Sequence, residues 1–410
     1  MKYLMLIADG MADYAIEQLQ DKSPLEAART VNLDHIARDG KLGVVRTVPD
    51  GMRPDTEISL LSLLGYDPRR QPVGRAPFEA AGFGIELDAQ QVAFSCNLVT
   101  VDEETLADYC AGHIGDKEAG ALIGFLQENL STKHVTFHPG RSFRNIMVYS
   151  GAEPMAVDTT PPHDAVGADL SGYLPGGQGS QLLRRLMLGS RSLLDEHEIN
   201  VVRADLGENP ANMIWLWGQG RVPRLEPFAE KYGKSGAMIT ASPLFTGVAR
   251  AIGWDHIAVP GATGLIDTDY AAKGQAAVEA LEKYDLVAVH VAAADVASHD
   301  GDPLRKVVAI ENMDEKILGP ILKAMEKLPE YRILVAASHF APVMRRGHTA
   351  DPAPFAVFGS GVHFIRQVLF TEKNAEEGDL HIERGHGLME YFLHEDQPLR
   401  KMEMPKPPAG

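Results

Sequence analysis

The chain has 410 residues and a formal net charge of −17, with 45% apolar and 23% charged residues. That length exceeds one ordinary core and predicts a large domain plus a smaller one, in a composition typical of globular proteins. The acidic balance argues against nucleic acid or an anionic membrane as the main partner. No apolar run reaches the roughly 18 residues of a membrane span, and two cysteines, Cys96 and Cys110, make neither a disulfide framework nor a thiolate cluster.

Taken in chain order, MKYLMLIADGMAD reads as a buried strand rather than a signal peptide, being short and quickly acidic. The cytoplasm is therefore the default location. Apolar runs recur at 3–8, 41–48, 200–204, 256–261, 286–292, 332–338 and 355–359, with amphipathic helical stretches at 267–282 and 304–327. Strands buried on both faces and alternating with helices predict an α/β fold with a mainly parallel sheet. Ligands of such sheets lie beyond the carboxyl ends of the strands, where Asp9, Asp295 and His339 fall. Between 88 and 168 the texture changes to alternating strands around one helix, which predicts a smaller α+β domain inserted into a core formed by 1–87 and 169–410. Pro- and Gly-rich stretches at 159–167 and 173–180 serve as the return linker. The final ten residues, KMEMPKPPAG, read as a tail.

Asp295 and His299 are four apart, so one helical turn aims both at one ion. With His339, His348 and Asp9 they form a carboxylate and imidazole set suited to Zn²⁺, Mn²⁺ or Fe²⁺. For any one of them an ordinary loop histidine is the competing reading; four beyond apolar strands favour metal-assisted chemistry. A phosphorylated substrate would need a local basic pocket, for which Arg75, Arg141, Arg144, Arg203 and Arg221 are candidates.

The order of MKYLMLIADGMAD, KSPLEAARTVNLDHIARDG, SLLGYDPR, GRAPFEAAGFGIEL, NPANMIWLWGQG, PGATGLIDTDY, HDGD, HTADPAPF and ERGHGLMEYFL resembles the archaeal-type cofactor-independent phosphoglycerate mutases, of the alkaline phosphatase superfamily. NPANMIWLWGQG looks closest to a branch of proposed homoserine kinases. The resemblance implies an alkaline-phosphatase-like sheet and two divalent ions (Mn²⁺ or Zn²⁺, with Mg²⁺ compatible) flanking a hydroxyl nucleophile. One ion would be held by Asp295, His299 and His348. The other would be held by Asp9, the oxygen of the nucleophile Thr56, and His339. Where the family has Gly-Ser-Asp this chain reads Asp55-Thr56-Glu57, and where the family has Pro-Asp-His it reads Ala337-Ser338-His339. A basic residue expected before Gly236 is Ser235, with Lys234 one position off. Loss of the carboxylate at Ser338 weakens the second ion's site.

The same resemblance assigns substrate recognition to Arg144 of the insert, with its planar fork for a phosphate, and to His163 on the linker. Asn212, Asp267 and Lys273 also fall on recurrent family positions, with structural roles as the alternative; Asp267 and Thr268 could simply cap the following helix. The implied activity is interconversion of 3- and 2-phosphoglycerate through phospho-Thr56, with domain closure excluding water. Phosphoryl transfer from ATP to homoserine is a second reading. The third is a weakened relative that binds a metal or a phosphorylated metabolite. A small phosphorylated metabolite is the expected partner, and a homo-oligomer is compatible with the family.

Overall fold

Seven residues, Lys2–Ala8, form the first strand, and six of them are buried. The computed structural model describes residues 1–70, 74–364, 366–378 and 380–394, so the tail expected at 401–410 lies outside the described residues. Lys2–Ala8 is central in an eight-stranded sheet. The order across it is Asp255–Ile257, Gly236–Ile239, Leu286–Val291, Lys2–Ala8, Tyr331–Ala337, Ala353–Gly359, Lys41–Val45 and Leu380–Ile382. Pairing is parallel throughout except where Ala353–Gly359 runs antiparallel to both its neighbours. The expected mainly parallel α/β sheet is what the chain forms. Ala8 is in register with both Val291 and Ala337, so the segments carrying Asp9, Asp295 and His339 leave the sheet at one level. Among the described residues no helix is long and apolar enough to cross a membrane.

The chain divides into two compact units. The first is Met1–Arg70, Phe228–Ala241 and Asp255–Gly410, and the second is Gln71–Pro227 and Ser242–Trp254. The second contains the stretch predicted at 88–168 and extends past it for a packing reason. Strand Met213–Gly220 pairs antiparallel with Val92–Asp102, which in turn pairs with Arg144–Tyr149 and Thr105–Asp108. Helix Ser180–Leu194 supplies Leu183, Leu186 and Met187 to the core containing Phe94, Leu98 and Trp215. WLWGQG is thus a core strand. Helices Arg75–Phe83 and Pro243–Ala251 also belong to this unit, and a Cβ on Gly247 would stand 1.7 Å from the carbonyl oxygen of Phe78. Only glycine allows that approach.

Three expected elements change. The run 200–204 is not a strand but part of helix Glu198–Asp205, where Asn200 and Arg203 are buried three apart and Val201 and Val202 face solvent. Helical spacing of the two polar anchors overrides the strand preference of two valines. The helix expected at 267–282 is Tyr270–Lys283; Asp269 caps it by accepting from the Ala272 N–H at 2.9 Å, while Asp267 accepts from the Thr263 hydroxyl instead. The stretch 304–327 runs from Pro303 through a π-helical turn at Asp314–Leu318 to Met325.

Candidate metal centre and active site

Helix Ala293–Asp300 follows the Leu286–Val291 strand and places Asp295 and His299 one turn apart. Gly10 makes room for it: its φ is +62°, and a Cβ there would lie 2.5 Å from Asp295 Cα. Each ring's tautomer follows from a backbone carbonyl. His299 Nδ1 is 2.9 Å from the carbonyl of Arg346, and His348 Nδ1 is 3.0 Å from that of Pro54. A carbonyl only accepts, so both Nδ1 atoms donate and each neutral ring keeps an Nε2 lone pair.

Those two nitrogens stand 3.1 Å apart. Asp295 Oδ1 lies 3.1 Å from His348 Nε2, and Oδ2 lies 3.6 Å from His299 Nε2. Acceptors therefore face acceptors, an arrangement that a bound cation resolves. One donor atom from each of Asp295, His299 and His348 falls within 4.8 Å of the others. Two imidazoles and one carboxylate fit Zn²⁺, Mn²⁺ or Fe²⁺ and leave a position open. Burial alone would raise the Asp295 carboxyl, but the neighbouring His348 and His299 rings hold it well below the usual range. Burial pushes His299 down, toward the neutral ligand form, whereas the Asp295 carboxylate holds His348 up against burial, so its ring reaches the neutral form at higher pH.

Thr56 is buried and is the first residue of helix Thr56–Leu63. Asp55 occupies the cap position, so Thr56 does not serve as the cap. The site histidines touch the chain on either side of it: Pro54 through its carbonyl, and Ser59 through its hydroxyl, 3.5 Å from His339 Nδ1. His339 Nε2 faces Asp295 Oδ1 at 3.3 Å.

A model of the 2,3-bisphosphoglycerate-independent phosphoglycerate mutase family matches residues 37–200. A Methanothermobacter thermautotrophicus protein named 2,3-bisphosphoglycerate-independent phosphoglycerate mutase 2 is 44% identical over 402 residues, 98% of this chain and 99% of that one. The chain belongs to this family. Among solved structures, a Pyrococcus horikoshii protein superposes with a TM-score of 0.77 at 28% identity, covering 97% of this chain and 98% of its own. A cofactor-independent phosphoglycerate mutase from Thermoplasma acidophilum gives 0.60 at 25% identity, covering 97% of this chain and all of its own.

The remaining candidate residues separate within this family member. Asn212 is spent on structure: its side-chain amide donates to the Val101 carbonyl at 2.9 Å and to Asp195 Oδ1 at 3.0 Å, and its oxygen accepts from the Val101 N–H. Lys273 is buried and donates to the carbonyl of His290 at 3.2 Å, with burial lowering its pKa to about 8. Both positions therefore act on the scaffold. In the second unit, Arg203 pairs with Glu118 and Glu208, whereas Arg141 and Arg221 are exposed. Arg144 differs. It lies against the Phe143 ring at 4.2 Å, burial lowers its pKa, and among the described residues no carboxylate stands within ion-pair distance of it. His163 sits edge-on to Trp217 with ring centroids 5.8 Å apart.

Two features escaped the sequence reading. His290, a lone polar residue inside the buried run LVAVHVA, contacts Asp9 with Nε2 3.1 Å from Oδ2. Its isolation in an apolar strand was the available signal. Lys306, fully buried, donates to Asp13 Oδ2 at 2.8 Å and to the carbonyls of Ala341 and Ala12 at 2.9 and 3.3 Å. It ties the loop after Asp9 to the loop after His339; nothing in the helical pattern around it distinguishes it from a surface lysine.

Proposed function

We propose that this protein is a metal-dependent phosphoglycerate mutase that interconverts 3- and 2-phosphoglycerate through a phosphoryl group carried on Thr56. One observation supports this most: the Asp295, His299 and His348 donors converge beside the segment that carries a buried hydroxyl at a helix start. A divalent ion held by these three residues supplies positive charge that acidifies a nearby hydroxyl and offsets charge on phosphoryl oxygens.

In the forward direction the Thr56 hydroxyl gives up its proton and its oxygen bonds to phosphorus while the bond from the C3 oxygen breaks, and that oxygen takes up a proton to become the C3 hydroxyl. The C2 hydroxyl of the retained glycerate then takes the phosphoryl group and Thr56 regains its hydroxyl. Threonine keeps the reacting oxygen of serine while its methyl narrows χ1. Within the second unit, Arg144 is the residue we assign to a substrate anion, because its guanidinium is desolvated without a carboxylate partner. A cytoplasmic location accords with this reading.

Metal-loaded protein assayed with 3-phosphoglycerate, and in parallel with ATP and homoserine, tests it. Turnover of 3-phosphoglycerate that Thr56→Ala abolishes and Thr56→Ser keeps is the expected result. Transfer from ATP without mutase turnover would replace this reading with the kinase one. Turnover of neither would leave a binding protein.

A further inference from the structure

The two halves of the expected centre differ in whether they are satisfied without a cation. At Asp295, His299 and His348 acceptors confront one another. Around Asp9 every polar atom already has a partner of the right kind. His290 Nε2 stands 3.1 Å from Asp9 Oδ2, and Thr240 Oγ1 stands 2.8 Å from His290 Nδ1. A neutral ring therefore donates from Nε2 to the carboxylate and accepts at Nδ1 from the threonine hydroxyl. The Ser338 hydroxyl donates to Asp9 Oδ1. Having one proton to give, it accepts from His339 Nδ1, 3.0 Å away. Asp9, His290, Ser338 and His339 are all buried, between 0% and 4% exposed. The one lone pair left over, on His339 Nε2, faces Asp295 at 3.3 Å, on the side of the first site.

We propose that this chain works with one divalent cation, held by Asp295, His299 and His348, and that a hydrogen-bonded chain from Thr240 through His290, Asp9 and Ser338 to His339 stands where the family's second cation would sit. It rests on the metal-dependent reading above and refines the ion count. The donor set does not fit a second divalent ion. Serine is a neutral hydroxyl in place of a carboxylate, so a cation there would meet one anionic side chain, whose two oxygens are both engaged. To bind, it would have to displace the donated protons of His290 and Ser338 from a buried carboxylate, which costs each of those donors its partner. The chain instead makes Asp9 a positioning residue: it orients Ser338, which fixes the His339 tautomer and leaves Nε2 unprotonated toward the metal.

Protein stripped with a chelator is titrated calorimetrically with Mn²⁺ alone and with Zn²⁺ alone, and the bound ion is counted by plasma emission after gel filtration. The wild type is expected to hold one ion per chain. Asp9→Asn keeps that one, with a loss of affinity no greater than the roughly 10–100-fold of an outer partner. Ser338→Asp takes up a second. Two ions in the wild type, falling to one in Asp9→Asn, would overturn the proposal and leave the metal-dependent reading standing. Binding undiminished in Asp295→Asn would sink that reading instead. Ser338→Asp sets two carboxylates side by side, so its circular dichroism is compared with the wild type first; should it misfold, the counts for the wild type and Asp9→Asn decide.

Discussion

Replacing Lys306 by methionine keeps the length and apolar stem of the side chain and deletes its charge. The ammonium is fully buried and bonded to Asp13 Oδ2 and to the carbonyls of Ala341 and Ala12. Removing one partner of a buried pair costs about 3–5 kcal/mol, because the other charge is left in the interior. Here the Asp13 carboxylate keeps two backbone donors, Tyr14 N–H at 2.7 Å and Val343 N–H at 3.0 Å, and the Ala12 carbonyl keeps the Ala341 N–H. The expected loss therefore sits at the lower end, about 3 kcal/mol. In urea, with m near 2–3 kcal/mol/M for a unit of this size, the midpoint falls by about 1 M or slightly more. All three tryptophans, Trp215, Trp217 and Trp254, lie in the second unit. Far-UV circular dichroism is accordingly the signal to follow. Pairing Lys306→Met with Asp13→Asn removes the stranded charge and is expected to restore more than half of the loss. A loss below about 1 kcal/mol, or a double variant no better than the single, would show that Lys306 does not neutralise a buried Asp13 charge.

Two further expectations use different side chains. Burial raises the Glu372 carboxyl from the usual 4.5 to about 7, against the donors Ser23 Oγ and Asp13 N–H and the charge of Lys306. The folded protein thus holds this proton where the unfolded chain has released it, and stability falls as pH rises from about 4.5 to about 7. Glu372→Gln should flatten that fall, by at most about 3 kcal/mol, in denaturation midpoints taken across the window; an unchanged slope would contradict it. Arg144→Lys should raise KM for 3-phosphoglycerate about tenfold or more with a smaller change in kcat, since a point charge replaces a planar fork; an unchanged KM would remove Arg144 from substrate recognition.

How legible this was from the chain depended on the physical signal involved. Runs such as LVAVHVA and RILVAAS announce buried parallel strands, because residues covered on both faces need no polar alternation. Their ends located Asp9, Asp295 and His339, and the spacing of Asp295 and His299 located a shared turn. The run at 200–204 misled because two exposed valines carry the same letters as two buried ones. The extent of the second unit was hidden because Met213–Gly220 pairs with a strand more than a hundred residues earlier, a fact no local pattern encodes. Lys273 and Asn212 stood on family positions, yet their bonds to the His290 carbonyl and the Val101 backbone depend on tertiary contacts. His290 was legible in principle as the one imidazole in an apolar strand.

The proposed reaction turns on Thr56 carrying the phosphoryl group. Metal-loaded protein mixed with 3-phosphoglycerate, quenched in acid during turnover and digested, answers it by mass spectrometry. Phosphate on Thr56 in the wild type, absent from Thr56→Ala together with the activity, is the expected result. Sustained mutase turnover by Thr56→Ala, or phosphate trapped on another residue, would contradict it.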